Sequence, residues 1–153
     1  MTGDALAFED FTPGATWEFG EVEVTEQAIC EFGLRFDPQP FHTDPEAAGT
    51  GPFGGLVASG WHTVALTTRI LVEELYARSR ALGSPGVESI RWPSPVRPGD
   101  RLSVRFSVLD ARRSQSRPDR GVVRCRVETL TQNGDVAMTL EGVNFFGCRE
   151  PGA

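Results

Sequence analysis

The chain has 153 residues, of which 39% are hydrophobic and 24% are charged, and its formal net charge at pH 7 is −6. This length and composition fit one globular domain with a single apolar core. The negative charge argues against a nucleic acid or an anionic membrane surface as the main partner. All basic residues are arginine, and the absence of lysine excludes Schiff-base chemistry.

The sequence carries no signal for secretion or membrane insertion. The start of the chain lacks a basic segment followed by an apolar run, so it does not resemble a signal peptide. The longest apolar stretch, residues 64–72, is interrupted by polar side chains and is not a membrane span. We expect one domain over residues 1–153, with an ordered core over residues 8–148. The cysteines follow neither a zinc nor a redox spacing, which favours reduced thiols in a cytoplasmic protein: Cys30, Cys125 and Cys148.

The first third of the chain predicts a strand followed by two helix starts. Residues 17–25 alternate between apolar and polar side chains, which is typical of a strand. A short helix over residues 26–35 follows Thr25, a suitable N-cap. Asp44 and Pro45 mark a second helix start, because Asp is a favoured N-cap and proline a favoured first helical residue.

A long helix is predicted from Leu56 to about Arg80. It follows the glycine-rich segment 49–55, and its apolar side chains recur at spacings of three and four. Further apolar residues broaden this face, so we expect the helix to be largely enclosed. Thr68 is expected to bond back to its own helix, and His62 to be a packing or interface residue. The face expected inside carries Val57, Trp61, Val64, Thr68, Leu71 and Leu75.

The second half of the chain predicts an antiparallel sheet, with strands over residues 86–92, 101–109, 121–130 and 135–146. Asn133-Gly134 is a strong hairpin signal, and residues 110–120 are expected to form a longer exposed loop. Alternation predicts four inward side chains on the second of these strands: Leu102, Val104, Phe106 and Val108. One long helix is available to cover the apolar face of the sheet. This predicts an α+β fold of the hotdog kind, a curved antiparallel sheet wrapped around one central helix.

The segment 36–42 carries the residues best suited to chemistry. Asp37 and Gln39 each precede a proline, so the segment is predicted to be a rigid, extended loop and not a helix. Asp37 and His42 lie at its ends and can reach one cleft, where apolar neighbours would raise the pKa of a carboxyl and suit acid–base work on water. Asp before proline is also a common turn former, so the residue types alone leave a structural role open. The neighbours expected to make the cleft apolar are Phe36, Phe41 and Phe53.

Glycines lead into the long helix within residues 53–61. Backbone N–H groups at such a helix start are free and lie at the positive end of the helix dipole. They are suited to stabilise a thioester carbonyl oxygen that becomes an enolate. Gly60 has two explanations, close approach of a ligand or close packing against the sheet, and the pattern does not choose between them. The segment matches neither a Walker loop nor a dinucleotide-binding motif.

Three motifs together resemble the MaoC-like dehydratases, which include the R-specific enoyl-CoA hydratases. The resemblance runs in order over most of the chain, from the first strand to Asn144-Phe145-Phe146. It implies a hotdog fold, a homodimer or higher oligomer, and a tunnel for an acyl-CoA or acyl-carrier thioester. The motifs are Asp37-Pro38-Gln39-Pro40-Phe41-His42-x-Asp44, Phe53-Gly54-Gly55-Leu56-Val57-Ala58-Ser59-Gly60 and Pro95-Val96-Arg97-Pro98-Gly99-Asp100.

The resemblance also implies roles for single residues. The family's catalytic Asp and His correspond to Asp37 and His42, and its oxyanion-hole glycine to Gly60. Many members have Asn-Pro where this chain has Gln39-Pro40. Gln is one methylene longer but keeps both donor and acceptor, so the usual chain-length preference does not carry over. The substrate-binding residues expected on this basis are Gly60, Gly55, Phe53 and Gln39.

The expected protein is a lyase of fatty acid metabolism that needs no metal or redox cofactor. Asp37 and His42 would hold one water, which attacks C3 of a trans-2-enoyl thioester while a proton is returned to C2. Two alternatives remain at this point. One is a hotdog thioesterase, although the helix after Gly60 carries no acid before Glu73. The other is a non-catalytic acyl-thioester-binding subunit, against which the presence of both Asp37 and His42 argues.

Overall fold

Five antiparallel strands form a single sheet in the computed structural model, which describes residues 3–150. The strands are β1 (Thr16–Glu23), β2 (Gly86–Arg91), β3 (Arg101–Arg113), β4 (Arg120–Leu130) and β5 (Val136–Gly147). Their order across the sheet is β1-β3-β4-β5-β2. The helices are α1 (Glu26–Phe36), α2 (Pro40–Thr43), α3 (Pro45–Gly49) and α4 (Gly60–Glu74).

One face of the sheet forms the main core. Phe11, which precedes β1, stacks on Phe146 of β5 with the ring centroids 3.9 Å apart. The predicted hairpin joins β4 to β5, and Gly134 adopts a φ of +82° there, which glycine does at little cost. The exposed loop predicted for residues 110–120 is shorter than expected, because β3 and β4 stay paired as far as Arg113. The inward residues of β3 are at most 3% exposed, as predicted: Leu102, Val104, Phe106 and Val108.

The central helix α4 packs against β1, β3 and β5. The Thr67 hydroxyl lies 2.7 Å from the carbonyl oxygen of Thr63, to which it donates, and 2.6 Å from the Thr129 hydroxyl on β4. These bonds allow a polar side chain to lie inside the core. A curved antiparallel sheet covered by one central helix confirms the predicted α+β hotdog fold.

The boundaries of α4 differ from the sequence prediction. The helix begins at Gly60 and not at Leu56, because the Ser59 hydroxyl caps it by accepting from the Trp61 N–H at 3.3 Å. It ends at Glu74, where a single 3₁₀ turn follows, well before the predicted end. Within residues 3–150, no helix is both long and apolar enough to cross a membrane.

The buried face of α4 is also rotated from the predicted one. Trp61 and Thr68 were expected inside, yet both are exposed, Trp61 by 57%. The prediction was wrong because the buried stripe includes three polar residues, which an apolar pattern does not identify: His62, Thr63 and Thr67. The Thr68 hydroxyl donates to Val64 O at 2.8 Å, as expected. His62 is 6% exposed and stacks on Phe32 at a centroid distance of 4.8 Å, so it is a packing residue, as expected.

Three shorter helices lie between β1 and α4 in the chain. Thr25 caps α1 by accepting from the Ala28 N–H, and Asp44 caps α3 by accepting from two backbone N–H groups, as predicted. The expectation that residues 36–42 are extended throughout was wrong. Pro40 is the first residue of α2, because its fixed φ suits a helix start and its missing N–H costs nothing there.

Gly33 of α1 permits a close contact with α2. A Cβ at this position would lie 2.5 Å from the carbonyl oxygen of His42. We expect Gly33→Ala to force the two helices apart and to lower the free energy of unfolding by about 1–3 kcal/mol, the usual range for overpacking. Urea denaturation measures this change. Gly49→Ala is the control, since a Cβ there meets nothing within 4 Å. An equal loss of unfolding free energy in both variants would contradict the close contact between Gly33 and the main chain of His42.

Candidate active site

The junction between α1 and α2 brings Asp37 and His42 together. Asp37 follows the last residue of α1, and its N–H donates to Gly33 O at 2.9 Å. The His42 N–H donates to Gln39 O at 2.9 Å, so the histidine lies on a single helical turn. His42 Nε2 lies 3.3 Å from Asp37 Oδ2. The two side chains that the sequence paired are therefore in direct contact.

The orientation of the imidazole is set by a main-chain carbonyl. His42 Nδ1 lies 2.7 Å from Val57 O, and the histidine is 6% exposed. A carbonyl oxygen only accepts, so Nδ1 carries the hydrogen of the neutral ring and Nε2 carries a lone pair. That lone pair faces Asp37 Oδ2. Two acceptor atoms therefore face each other, an arrangement that favours a proton or a donor between them.

The Asp37 carboxylate is held through both of its oxygens. Ser59 Oγ donates to Oδ2 at 2.7 Å, and Gln39 Nε2 donates to Oδ1 at 2.7 Å. Burial alone would raise the pKa of Asp37, but the hydrogen bonds from Gln39 and Ser59, together with the attraction of His42 in its protonated form, outweigh it and lower the pKa below its usual value. The expected upward shift was wrong, because it considered only the apolar neighbours. The group therefore remains an ionised acceptor at neutral pH.

Ser59 is the residue of this site that the sequence analysis missed. It is 1% exposed, and its hydroxyl donates to Asp37 while it accepts from the Trp61 N–H. A serine placed just before Gly60 is a strong N-cap signal. The apolar pattern continues back to Leu56 and conceals this signal in the sequence. Because the helix starts at Gly60, the serine is its N-cap and lies directly before the glycine.

A cleft of about 420 Å³ opens beside the pair. Asp37, His42, Gly60 and Phe53 all line it. The other two predicted substrate-binding residues do not. Gly55 lies against the Arg97 side chain, which donates to the main chain of the same loop, and Gln39 is exposed and contacts Asp37 instead. Much of the remaining wall is apolar or aromatic: Phe41, Val57, Trp61, Trp92 and Val96.

Both explanations offered for Gly60 find support. Trp92 Nε1 donates to Gly60 O at 3.1 Å, and a Cβ on Gly60 would lie 2.4 Å from the indole ring, so close packing requires glycine. Gly60 is also the first residue of α4 and lines the cleft. An N–H at the first helical position has no acceptor within its own helix. It is therefore suited to an anionic oxygen.

A second cavity of about 200 Å³ lies between α4 and the strands β4 and β5, and contains none of the predicted site residues. Its wall includes Thr68, Tyr76 and Cys125. Burial raises the pKa of Cys125 to about 11, so the thiol stays protonated at neutral pH. Cys125 is therefore not an activated nucleophile in this cavity.

The lowered pKa of Asp37 makes its contribution to stability dependent on pH. Ionisation stabilises the native state; this stabilisation is complete above the unfolded pKa of about 4 and disappears as the pH falls through the lower folded value. We expect the unfolding free energies of wild type and Asp37→Asn to differ most near neutral pH and to converge below about pH 4. Urea denaturation across this range measures the difference. If the two unfolding free energies differ by the same amount at every pH, the native structure does not stabilise the ionised form of Asp37.

Comparison with known proteins agrees with the fold and the motifs. A solved structure of a MaoC-like dehydratase from Rhodospirillum rubrum superposes with a TM-score of 0.87 at 42% identity, covering 95% of this chain and 99% of that one. The 3-hydroxyacyl-thioester dehydratase Z of Mycobacterium tuberculosis is 35% identical over 90 residues, which span 58% of this chain and 60% of that protein.

Two further matches extend over most of the chain. The uncharacterized protein YdeM of Bacillus subtilis is 28% identical over 127 residues, or 83% of this chain and 89% of that protein. The family model described as "MaoC like domain" matches residues 9–132. By this match the chain belongs to the MaoC-like domain family.

Proposed function

We propose that the protein adds water reversibly to trans-2-enoyl thioesters, as an enoyl-thioester hydratase and 3-hydroxyacyl-thioester dehydratase. The observation that carries this proposal is the pair of acceptor atoms, Asp37 Oδ2 and His42 Nε2, facing each other at 3.3 Å on the wall of an apolar cleft. Membership of the MaoC-like family supports it, as does the similarity to a protein named 3-hydroxyacyl-thioester dehydratase.

The two acceptors are suited to hold and activate a water molecule. Water can donate one hydrogen to Asp37 and the other to His42, which relieves the repulsion between the lone pairs and leaves its oxygen free to attack. The oxygen bonds to C3 of the enoyl group, and the C2=C3 π electrons move through C2 onto the thioester oxygen. The proton lost by the water goes to the pair, which returns a proton to C2. Dehydration follows the same steps in reverse.

The enolate formed in this step needs a donor at the thioester oxygen. Gly60 lines the same cleft as the pair, and its N–H lies at the positive end of α4. Trp92 donates to the carbonyl of Gly60 and so holds the next peptide unit, between Gly60 and Trp61, in place. We propose that the thioester oxygen binds at this N–H, which places C3 toward the acid–base pair.

The wall of the cleft indicates the kind of group that enters it. Phe53 and Phe41 pack edge to face at 5.3 Å on one side, and Trp61 and Trp92 at 5.5 Å on another. Such surfaces favour an apolar acyl group over a charged one. We propose an acyl-CoA or an acyl-carrier thioester as the substrate.

We further propose that the working form is a homodimer or a higher homo-oligomer. β2 is an edge strand, and Val87 on it is 52% exposed. Trp92, which follows β2, and Trp61 are also exposed, by 42% and 57%. Large apolar side chains next to an open sheet edge favour a partner chain that covers the side chains and the edge. A second copy of the chain can do this through the same β2 edge, in a symmetric contact.

Replacing either member of the pair tests the proposed reaction. Asp37→Asn and His42→Ala should each lower hydratase kcat by about 100-fold or more, the lower range for loss of general acid–base catalysis. Loss of enoyl-thioester absorbance in a panel of enoyl-CoAs measures the rate, and near-ultraviolet circular dichroism shows that the variants fold. Asp44→Asn is a matched control, since Asn caps α3 as well as Asp does.

The outcome also separates hydration from thioester hydrolysis. A hydratase bleaches the enoyl absorbance without releasing thiol, whereas a thioesterase releases free thiol. Glu73 does not supply the carboxylate that a thioesterase would need, because it is exposed and bonded to Arg69 at 2.9 Å. Near-wild-type turnover by either folded variant would refute the assignment of Asp37 and His42.

A further inference from the structure

We propose that Gln39 is the positioning residue of the acid–base pair: its side chain fixes the Asp37 carboxylate, and its main chain fixes the spacing between Asp37 and His42. The inference rests on the proposed function, since it assigns a role within that reaction. It replaces the expectation that Gln39 binds substrate, because Gln39 is exposed and does not line the cleft.

The main chain of Gln39 is bonded to both members of the pair. Its N–H donates to Asp37 O at 2.8 Å, and its carbonyl accepts from the His42 N–H at 2.9 Å. The same carbonyl accepts from the Thr43 hydroxyl at 3.1 Å. Residue 39 is also the N-cap of α2, with an extended φ of −85° and ψ of +146°. The peptide at Gln39 therefore sets how far the helical turn carrying His42 lies from Asp37.

The side chain of Gln39 restricts rotation of the carboxylate. A free carboxylate exchanges its two oxygens by turning about its terminal bond, for which only broad preferences exist. Here Gln39 Nε2 donates to Oδ1 at 2.7 Å, while Ser59 donates to Oδ2 and His42 faces it. With a donor on each oxygen, turning the group breaks both bonds. Oδ2 therefore stays opposite His42 Nε2.

The count of acceptor sites then assigns the remaining position. An ionised carboxylate has about four lone-pair sites. Gln39 uses one on Oδ1 and Ser59 uses one on Oδ2, while the second site on Oδ2 faces the lone pair of His42 Nε2. The proposed water lies at that second site, where it donates to Asp37 and to His42. Gln39 thus holds Oδ1 so that Oδ2 presents its free site to the water, and the amide hydrogen bond lowers the pKa of Asp37.

Side-chain variants test this role without altering the main-chain bonds. Gln39→Met keeps the length and removes the donor, and Gln39→Glu replaces it with an acceptor that repels Asp37. Gln27→Met is the matched control, because Gln27 Nε2 likewise donates to a carboxylate, Glu31 Oε1, at 2.9 Å, on a helix and outside the cleft. The full-length protein is titrated by ¹³C NMR of its carboxyl groups, with the Asp37 signal assigned by its loss in Asp37→Asn.

In Gln39→Met we expect the pKa of Asp37 to rise and kcat on an enoyl-CoA substrate to fall about tenfold, the effect of losing one hydrogen bond to a charged group. KM should stay within about twofold, because the amide does not touch substrate. Gln39→Glu should show a larger rise in the pKa of Asp37 and a larger loss of kcat. Gln27→Met should change neither quantity.

Three results would overturn the inference. One is an Asp37 titration that is unchanged in Gln39→Met, whatever the activity. Another is an unchanged kcat with a raised KM, which would make Gln39 a substrate ligand. The third is an altered titration with unchanged kinetics. If wild type hydrates no enoyl thioester, the proposed function fails, but the titration still decides whether Gln39 holds the carboxylate.

Discussion

The hydrogen bond from Ser59 to Asp37 connects the fold to the candidate chemistry. The serine starts the central helix by capping Trp61 N–H and, with the same oxygen, donates to the carboxylate at 2.7 Å. Two residues earlier, Val57 O accepts a hydrogen bond from His42 Nδ1 at 2.7 Å. The extended segment before α4 therefore holds both members of the pair through alternate residues. The start of the helix and the geometry of the pair depend on one short stretch of chain.

This arrangement concentrates acceptors where the proposed hydration reaction needs them. Asp37 is kept ionised by donors from two directions, and His42 presents a lone pair because its other nitrogen is committed to a carbonyl. The opposite polarity lies at Gly60, at the positive end of α4. A reacting system that loses a proton beside Asp37 and His42, and gains negative charge beside the Gly60 N–H, is stabilised at both ends. The cleft therefore has a built-in direction along which a polarised thioester can align.

The sequence predicted those features that depend on local patterns. Strict alternation placed the inward residues of β3, and the Asn-Gly pair placed the β4–β5 hairpin, because both signals act over a few residues. Thr25 and Asp44 were predicted as caps for the same reason. The nearness of Asp37 and His42 was also predicted, since only four residues separate them and two of those four are prolines that restrict the chain.

The features that were missed depend on contacts far apart in the sequence. The inward face of α4 is decided by the bond between Thr67 and Thr129, which no helical periodicity shows. The lowered pKa of Asp37 depends on the side-chain hydrogen bond from Gln39 and also on that from Ser59, 22 residues away. Pro38 and Pro40 correctly indicated a restricted segment, but the pattern did not show that the second proline starts a helix. Residue types therefore identified the candidate pair, and its protonation state required the three-dimensional contacts.

The helices that follow Asp37 are too short to be stable by themselves. α2, which carries His42, has four residues and α3 has five, far fewer than the roughly 12 to 15 that an isolated helix needs. Their positions are instead fixed from outside, by Gly33 packed on the main chain of His42 and by the Val57 N–H donated to Phe41 O at 3.0 Å. Main-chain bonds of this kind hold a side chain more rigidly than contacts of its flexible end do. The candidate site thus takes its precision from α1 and from the segment that leads into α4, and its chemistry from the short turn between them.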